Sequence, residues 1–288
     1  MSAFDHRGAR KGTLTRMTPR NMNLRPLALL LALVVAAAGN SSRGAEGGDR
    51  PWLELSSVVD HADWRPERTG WSSARRVEVD PDAPQRLLLH GAADDPADAV
   101  LAARGGNSSA NLVSQQEFQD VELRLEFLVA RGTNSGVKLN GLYEIQIRDS
   151  FGVAQPTADD CGGIYPRAEL RPRYRFLDDG VPPRVNAAQP PGAWQTLEIA
   201  FSSPRFDSNG DKTHPARFVR VVLNGELIHE NVDVLWPTGH AWNQAVETAR
   251  GPLLLQGDHG PVAFRRIAVR PLVSGAAPPP RKADAAGD

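Results

Sequence analysis

The sequence predicts an all-β chain, an antiparallel β-sandwich, and three observations predict it. Short apolar segments alternate with polar residues and recur at hairpin spacing. No segment shows helical periodicity with capping residues at its ends. Asn-Gly turns and long connections rich in Gly and Pro separate the segments, with the longest loops gathered at one end.

Taken in order, the chain opens on a basic stretch. Leu27 to Ala38 is then an uninterrupted apolar run of 12 residues behind Arg20 and Arg25. A bilayer span needs about 20 residues, so the run fits a secretory signal peptide ending near Arg43-Gly44-Ala45, with Met17 or Met22 as alternative starts. An uncleaved anchor is the alternative. Residues 1–45 are read as the leader, 46–50 as a linker, 51–273 as one domain, and the Pro- and Ala-rich 274–288 as a disordered tail. The product is expected in the periplasm or outside the cell, with no membrane attachment after cleavage. The leader holds seven Lys/Arg and one Asp, which leaves 26 basic against 33 acidic residues in the remainder. A net-acidic body gives no support to nucleic-acid binding. Cys161 stands alone, so no intrachain disulfide forms, and it is read as a buried small hydrophobe rather than a nucleophile.

Six tryptophans can serve as core plugs or as sugar-stacking platforms. Arg86–His90 and Ala110–Ser114 read as short strands, and the polar, Gly-rich 94–109 between them as a loop. Val121, Leu123, Leu125, Phe127 and Val129 alternate with Glu122, Arg124 and Glu126, which marks a half-buried strand. Phe151–Gln189 lacks periodicity, and a loop of that length in a compact domain is usually functional. Strands resume at Trp194–Phe201 and at Arg217–Leu223 with Leu227–Glu230, the last two joined by Asn224-Gly225. A loop over Asn231–Arg250 carries Trp236 and Trp242. Pro252–Gln256 and Val262–Arg270 complete the set.

Thr133–Asp149 is the stretch that organises the rest. A two-residue Asn140-Gly141 turn would put Val137 beside Glu144 and mix the faces. A three-residue loop, Asn140-Gly141-Leu142, instead sets Lys138 opposite Glu144 and Leu139 opposite Tyr143. Val137, Leu139, Tyr143, Ile145 and Ile147 then share one face, and Lys138, Glu144, Gln146 and Arg148 share the other. If the sheet is curved, the polar face is a cleft in which a carboxylate acts as base and an amide holds hydroxyls. The plain alternative is a solvated face with a Lys138–Glu144 cross-strand pair. Gln256, Asp258 and His259 cluster in a Gly-rich connection, as an acid/base pair, metal ligands or a simple turn. Asp207–Asp211 has the start of a calcium loop without its distal Glu. Nucleophile-elbow, zinc-protease and phosphate-loop motifs do not occur.

Several of these pieces, in this order, resemble the 3-keto-disaccharide hydrolase domain family of exported bacterial proteins. They are Ala110-Asn111-Leu112-Val113, Asn134-Ser135-Gly136-Val137, Tyr143-Glu144-Ile145-Gln146-Ile147 with Asp149-Ser150, and Cys161-Gly162-Gly163-Ile164-Tyr165. Pro190 to Gln195, Asn224-Gly225, Gly251-Pro252 through Gln256, Asp258-His259-Gly260 and Phe264 to Ile267 follow. Two departures stand out: Gly257 separates Gln256 from Asp258, and Arg266 takes the place of the family's Asn. The resemblance implies a concanavalin A-like jelly-roll sandwich with long loops over one face. It also implies a substrate whose sugar a separate dehydrogenase has oxidised at C3. That carbonyl acidifies the C2 proton, so a base can remove it and the C1 substituent leaves, with or without rehydration.

In that scheme Glu144 or His259 is the base, and Asp149 or Asp258 orients His259 or a divalent metal. Gln146, Gln256 and Lys138 bind substrate, with Tyr165, Trp236 and Trp242 as stacking candidates. A two-carboxylate glycosidase acting on the unoxidised sugar is a competing chemistry. A non-catalytic carbohydrate-binding module or a surface scaffold is the competing class, since this fold hosts lectins as well as enzymes.

Overall fold

The computed structural model describes residues 50–273, apart from 56–61, 66–69, 94, 96–97 and 107–109. These residues all belong to one compact unit, 46–288. The expected leader, residues 46–49 of the linker and the tail lie outside them. In chain order the strands are β1 (Leu53–Leu55), β2 (Trp71–Ala74), β3 (Arg76–Val79), β4 (Leu87–His90), β5 (Val100–Ala103) and β6 (Leu112–Phe118). Next come β7 (Val121–Val129), β8 (Asn134–Leu139), β9 (Tyr143–Arg148), β10 (Ala168–Glu169), β11 (Arg175–Phe176) and β12 (Gln195–Ser202). The last are β13 (Arg205–Phe206), β14 (Lys212–His214), β15 (Ala216–Leu223), β16 (Glu226–Val234), β17 (Gly251–Leu255) and β18 (Val262–Pro271). A 3₁₀ turn at His240–Asn243 is the only helical element among the described residues, and none is long and apolar enough to cross a membrane.

Two antiparallel sheets make the sandwich. The larger runs β16-β15-β12-β7-β18-β5-β2, with β1 also on β18, and the smaller runs β6-β17-β8-β9. Alternation explains why they face each other. Leu123, Leu125, Phe127 and Val129 of β7 point the same way as their neighbours Ile199, Leu197 and Phe264. They meet Val137, Leu139, Tyr143, Ile145, Ile147, Leu253 and Leu255 of the smaller sheet in one buried cluster. Each such side chain contributes roughly 1.5–3 kcal/mol on burial. Asn224 and Gly225, both at positive φ, form the expected two-residue hairpin between β15 and β16.

The expected loop at 94–109 needs correction. Within it Val100–Ala103 forms β5, an inner strand between β18 and β2. All four residues are buried, with β3 and β4 packed over their outer side. A strand buried on both faces has no polar positions, so its alternation is invisible in sequence. The polar stretch after Val113 also continues as β6 rather than ending at Ser114.

At Arg266 the departure from the family pattern falls on backbone that favours Asn. The residue sits in a bulge of β18 at φ 51°, the left-handed region where Asn is favoured. Arg266 adopts it while Nη1 donates to Glu126 at 2.7 Å. Gly257 is likewise a packing choice, because a Cβ there would lie 2.6 Å from the Ala110 carbonyl and 2.9 Å from Trp71. Cys161 is buried, and that burial pushes its thiol up to about 12. Asp207–Asp211 closes the β13–β14 hairpin, with Asp207 Oδ1 accepting the Asn209 and Asp211 N–H groups.

The long 151–189 connection adds two extended ranks to the edge of β9, since Ile164 bridges both Ile145 and Val181. It is pinned to the larger sheet by His229, whose buried Nε2–H donates to the Gly162 carbonyl at 2.7 Å. Burial lowers the His229 pKa against the opposing pull of that carbonyl, and the charge of Arg184 adds to burial. A folded-state pKa below the unfolded value of about 6.5 gives stability that is present above pH 6.5 and lost as pH falls below it. His229→Leu should therefore cost about 1–3 kcal/mol at pH 8, the price of an unpartnered carbonyl. The gap between variant and wild type should narrow at pH 5, read by denaturant melts at both pH values. A constant gap would show that His229 does not carry this pH dependence.

Candidate functional site

The hairpin β8–β9 closes through Asn140 and Gly141, both at positive φ, with the Leu142 N–H donating to the Leu139 carbonyl. Leu142 is the extra residue, and the register sets Lys138 against Glu144 and Leu139 against Tyr143. Counting by twos, Asn134, Gly136, Lys138, Glu144, Gln146 and Arg148 occupy the face turned away from the core. Neighbouring strands extend the same rows. Leu254 pairs with Lys138 on one side, and the Tyr165 N–H donates to the Glu144 carbonyl on the other. The next row is Gln256, Gly136 and Gln146, with the Gln256 N–H on the Gly136 carbonyl at 2.9 Å. The Gln256–His259 turn therefore stands on the same face as Glu144 and Gln146.

This face is covered, not solvated. Glu144 is 3% exposed and Gln146 1%. The Glu144 carboxylate lies over Gly136, where a Cβ would come within 2.1 Å of Oε1. Its Oε2 is 3.0 Å from Lys138 Nζ. A buried charge needs such a partner. Thr238 Oγ1 accepts the Glu144 N–H at 3.1 Å and donates to the Leu142 carbonyl at 2.9 Å, which ties the 235–250 connection to the pair.

Two amides flank Gly136, and each keeps a buried polar atom without a partner. Gln146 Nε2 donates to Asn134 Oδ1 at 3.1 Å and to Asp159 Oδ1 at 3.2 Å, which leaves Oε1 buried and unpaired. Arg148 pairs with Asp159 and holds it in place. Gln256 Oε1 is also buried and unpaired. Gln256 Nε2 lies 3.3 Å from His259 Nδ1, and Asp258 Oδ1 lies 2.7 Å from the same nitrogen. One nitrogen cannot both accept and donate. The shorter contact decides, so Nδ1–H donates to Asp258. The Gln256 amide is then better turned to bring its oxygen to Nδ1–H, leaving its nitrogen unpaired instead. Under either assignment Gln256 offers one unmatched polar atom, and such a group costs about 1–3 kcal/mol until a ligand meets it.

Tyr165 stands beside Glu144, its hydroxyl 2.8 Å from that of Tyr174. Burial raises the Tyr165 pKa first, the Tyr174 contact second, and the charges of Asp159 and Glu144 add to both. The phenol stays protonated at neutral pH. Two sequence candidates make contacts of their own. Asp149 Oδ2 accepts the Gly132 N–H at 2.9 Å, which caps a turn, and Asp258 Oδ1 is the carboxylate oxygen beside His259 Nδ1. Trp242 donates its indole N–H to the Ala168 carbonyl and lies 5.3 Å from the Arg167 guanidinium. The structure adds Asn134, Asp159, Tyr174 and Thr238 to the site. Asn134 was readable from its parity on β8, whereas the other three arrive on loops that carry no register. Among the described residues no group of three or more His, Cys, Asp or Glu side chains converges as a metal site.

A family model described as a 3-keto-alpha-glucoside-1,2-lyase-like domain matches residues 56–270. A solved structure from Parabacteroides distasonis, provisionally described as a glycosyl hydrolase, aligns with a TM-score of 0.51 at 21% identity, covering 80% of this chain and 95% of that one. Another from the same organism, described in the same way, gives 0.47 at 20% identity, with 77% and 100% covered. The first of these likenesses shows the jelly-roll fold. The comparison with curated proteins found no match.

The Lys138–Glu144 pair yields a stability test independent of activity. Lys138→Met leaves the buried carboxylate without its cation and should cost up to about 3–5 kcal/mol. Adding Glu144→Gln should restore most of that loss, because the remaining groups are neutral. An additive double variant in chemical denaturation would show that the two side chains are not energetically coupled.

Proposed function

The chain belongs to the 3-keto-alpha-glucoside-1,2-lyase-like family, which is carbohydrate-active, and on that premise we propose that it cleaves the glycosidic bond of a 3-keto-glycoside. The reading rests on the buried Lys138–Glu144 pair at 3.0 Å, set on one face with Gln146 and Gln256. A ketone at C3 makes the C2 proton acidic. Glu144 takes that proton while the Lys138 ammonium stabilises the charge that develops on the C3 oxygen. The C2–H electron pair forms the enolate. The enolate collapses to a C1=C2 double bond, and the C1–O pair departs with the leaving oxygen, which takes up a proton. Water adding across C1=C2 would convert elimination into net hydrolysis. Gln146 and Gln256 offer their unmatched polar atoms to ring hydroxyls, and the protonated Tyr165 stands beside the base.

His259 is the second candidate base. Its side chain is 58% exposed and Asp258 holds Nδ1, so Nε2 is open, whereas the Glu144 side chain is only 4% exposed. A separate 3-dehydrogenase would supply the oxidised substrate. Export to the periplasm or beyond the cell, by a leader within 1–45, belongs to the same proposal and rests on sequence alone.

The test compares an aryl 3-keto-glucoside with the ordinary aryl glucoside, following released phenol and the sugar product by NMR. Wild-type protein should release phenol from the oxidised substrate only. Glu144→Gln should lower that rate by roughly 10²–10⁴. Gly136→Ala should lower it by up to about 10² by shifting the carboxylate, with the fold intact. Full activity in Glu144→Gln and none in His259→Asn would assign the base to His259. Binding without release from either glucoside would favour a carbohydrate-binding module, and release from the unoxidised sugar would remove the ketone from the mechanism. A chelator arm reports whether a divalent metal takes part.

A further inference from the structure

The proposed elimination has three centres to serve: the C2 proton, the C3 oxygen and the departing C1 oxygen. Glu144 serves the first and Lys138 the second, which leaves the departing oxygen without a proton donor. The row of side chains that carries Glu144 runs on by one strand. Leu254 pairs with Lys138, and Lys138 with Glu144. The antiparallel bridge between Ile145 and Ile164 then sets Tyr165 opposite Glu144, its N–H on the Glu144 carbonyl at 3.2 Å. Tyr165 therefore stands on the same face as the base, one strand spacing away, about 5 Å between backbones. Gly239 lies over both of its partners in that row. A Cβ there would be 4.0 Å from Lys138 Nζ and 4.0 Å from Tyr165 Cδ1, and the backbone is at φ 62°, where glycine is favoured. The ammonium and the phenol ring are packed against the same residue.

A second phenol joins the Tyr165 hydroxyl to solvent. The Tyr174 hydroxyl lies 2.8 Å away, and either can donate to the other. Tyr165 is half-buried whereas Tyr174 is 51% exposed, so the pair has one end in the site and one in water. Both rings are held. Phe176 meets Tyr165 edge to face at 5.5 Å between ring centres and Tyr174 at 5.8 Å. The β10–β11 hairpin that carries Tyr174 and Phe176 is clamped by Arg175 on Glu169 and by Arg167 on Asp178, each at 2.7 Å. Behind burial, the Tyr174 contact and Asp159, the negative charge of Glu144 helps to keep the Tyr165 proton in place. That hold is released when Glu144 takes the C2 proton and becomes neutral. The phenol thus gains acidity at the step in which the leaving oxygen needs a proton.

We propose that Tyr165 is the proton donor to the departing oxygen, and that Tyr174 relays the replacement proton from water. This rests on the reading of the same face as the site of cleavage. As the C1–O bond breaks, its electron pair stays on the leaving oxygen and the Tyr165 O–H proton moves to that oxygen. Tyr174 reprotonates Tyr165, and water reprotonates Tyr174. The Glu144 carboxyl returns its proton to water, so the balance is one proton moved from C2 to the leaving oxygen. The experiment compares two substrates that differ in their need for that proton. Methyl 3-keto-glucoside releases a strongly basic alkoxide, whereas nitrophenyl 3-keto-glucoside releases a phenolate that departs unaided. Tyr165→Phe keeps the ring on Phe176 and removes only the hydroxyl. It should lower kcat on the methyl glycoside by roughly 10²–10⁴ and on the nitrophenyl glycoside by less than about tenfold, with the melting temperature near that of wild type. Tyr174→Phe should lower the methyl rate about tenfold and the nitrophenyl rate by less than about twofold. Equal loss on both substrates in Tyr165→Phe, or no loss on the methyl glycoside, would overturn the donor assignment. Release of nitrophenol without methanol by wild type would overturn it as well. An unchanged methyl rate in Tyr174→Phe would overturn the relay. If wild type releases neither product, the reading of the face as a cleavage site fails, and the donor falls with it.

Discussion

The two-residue repeat of side-chain direction along β8 and β9 is the constraint on which the site depends. Leu139 and Tyr143 sit opposite each other in the core, and that contact sets every position around them. A slip of one residue would turn Lys138, Glu144 and Gln146 inward and expose Val137, Ile145 and Ile147. The cost of that exchange is several buried apolar side chains and two buried charges, so the register has no competitor. The polar face is thus held in place by the greasy one.

Placement alone does not make a site, and the second condition is cover. A carboxylate on an open strand face is ordinary surface. Glu144 differs because Gly136 leaves room for its carboxylate against the backbone, Lys138 supplies the counter-charge, and Thr238 takes its N–H. The 151–189 connection then brings Tyr165 and Asp159 alongside. It is long because it must cross from β9 to the larger sheet, where His229 receives it. Loops of irregular backbone can do this only if their polar groups are matched, and here Ile164 and Val181 match theirs in strand-like bridges.

How much was legible follows from the same logic. The hairpin register could be read because its two faces differ in polarity at every step. The β15–β16 turn could be read because Asn224-Gly225 favours positive φ twice over. Strand β5 could not, since Val100–Ala103 is short and buried on both faces, so its stretch reads as loop. Within the site, Glu144, Gln146 and Lys138 were legible as one face, and Gln256, Asp258 and His259 as one turn. Adjacency to Arg148 says nothing about the contact Asp149 makes, where Oδ2 accepts the Gly132 N–H. Trp242 was singled out as an aromatic on a loop, yet its indole N–H is committed to Ala168.

By itself the sequence determined the sandwich class, the polarity of the central hairpin's faces and the family pattern, because these depend on local periodicity and on residue order. Only the tertiary structure decided that Glu144 and Gln146 are buried on the polar face, that Gln256 stands in the row of Gly136 and Gln146, and that the Asp258 carboxylate meets His259 Nδ1. Each of those depends on strands and loops far apart in the chain meeting across space. Pairing β17 to β8 joins residues more than a hundred positions apart, and no local pattern encodes which edge a distant strand will choose.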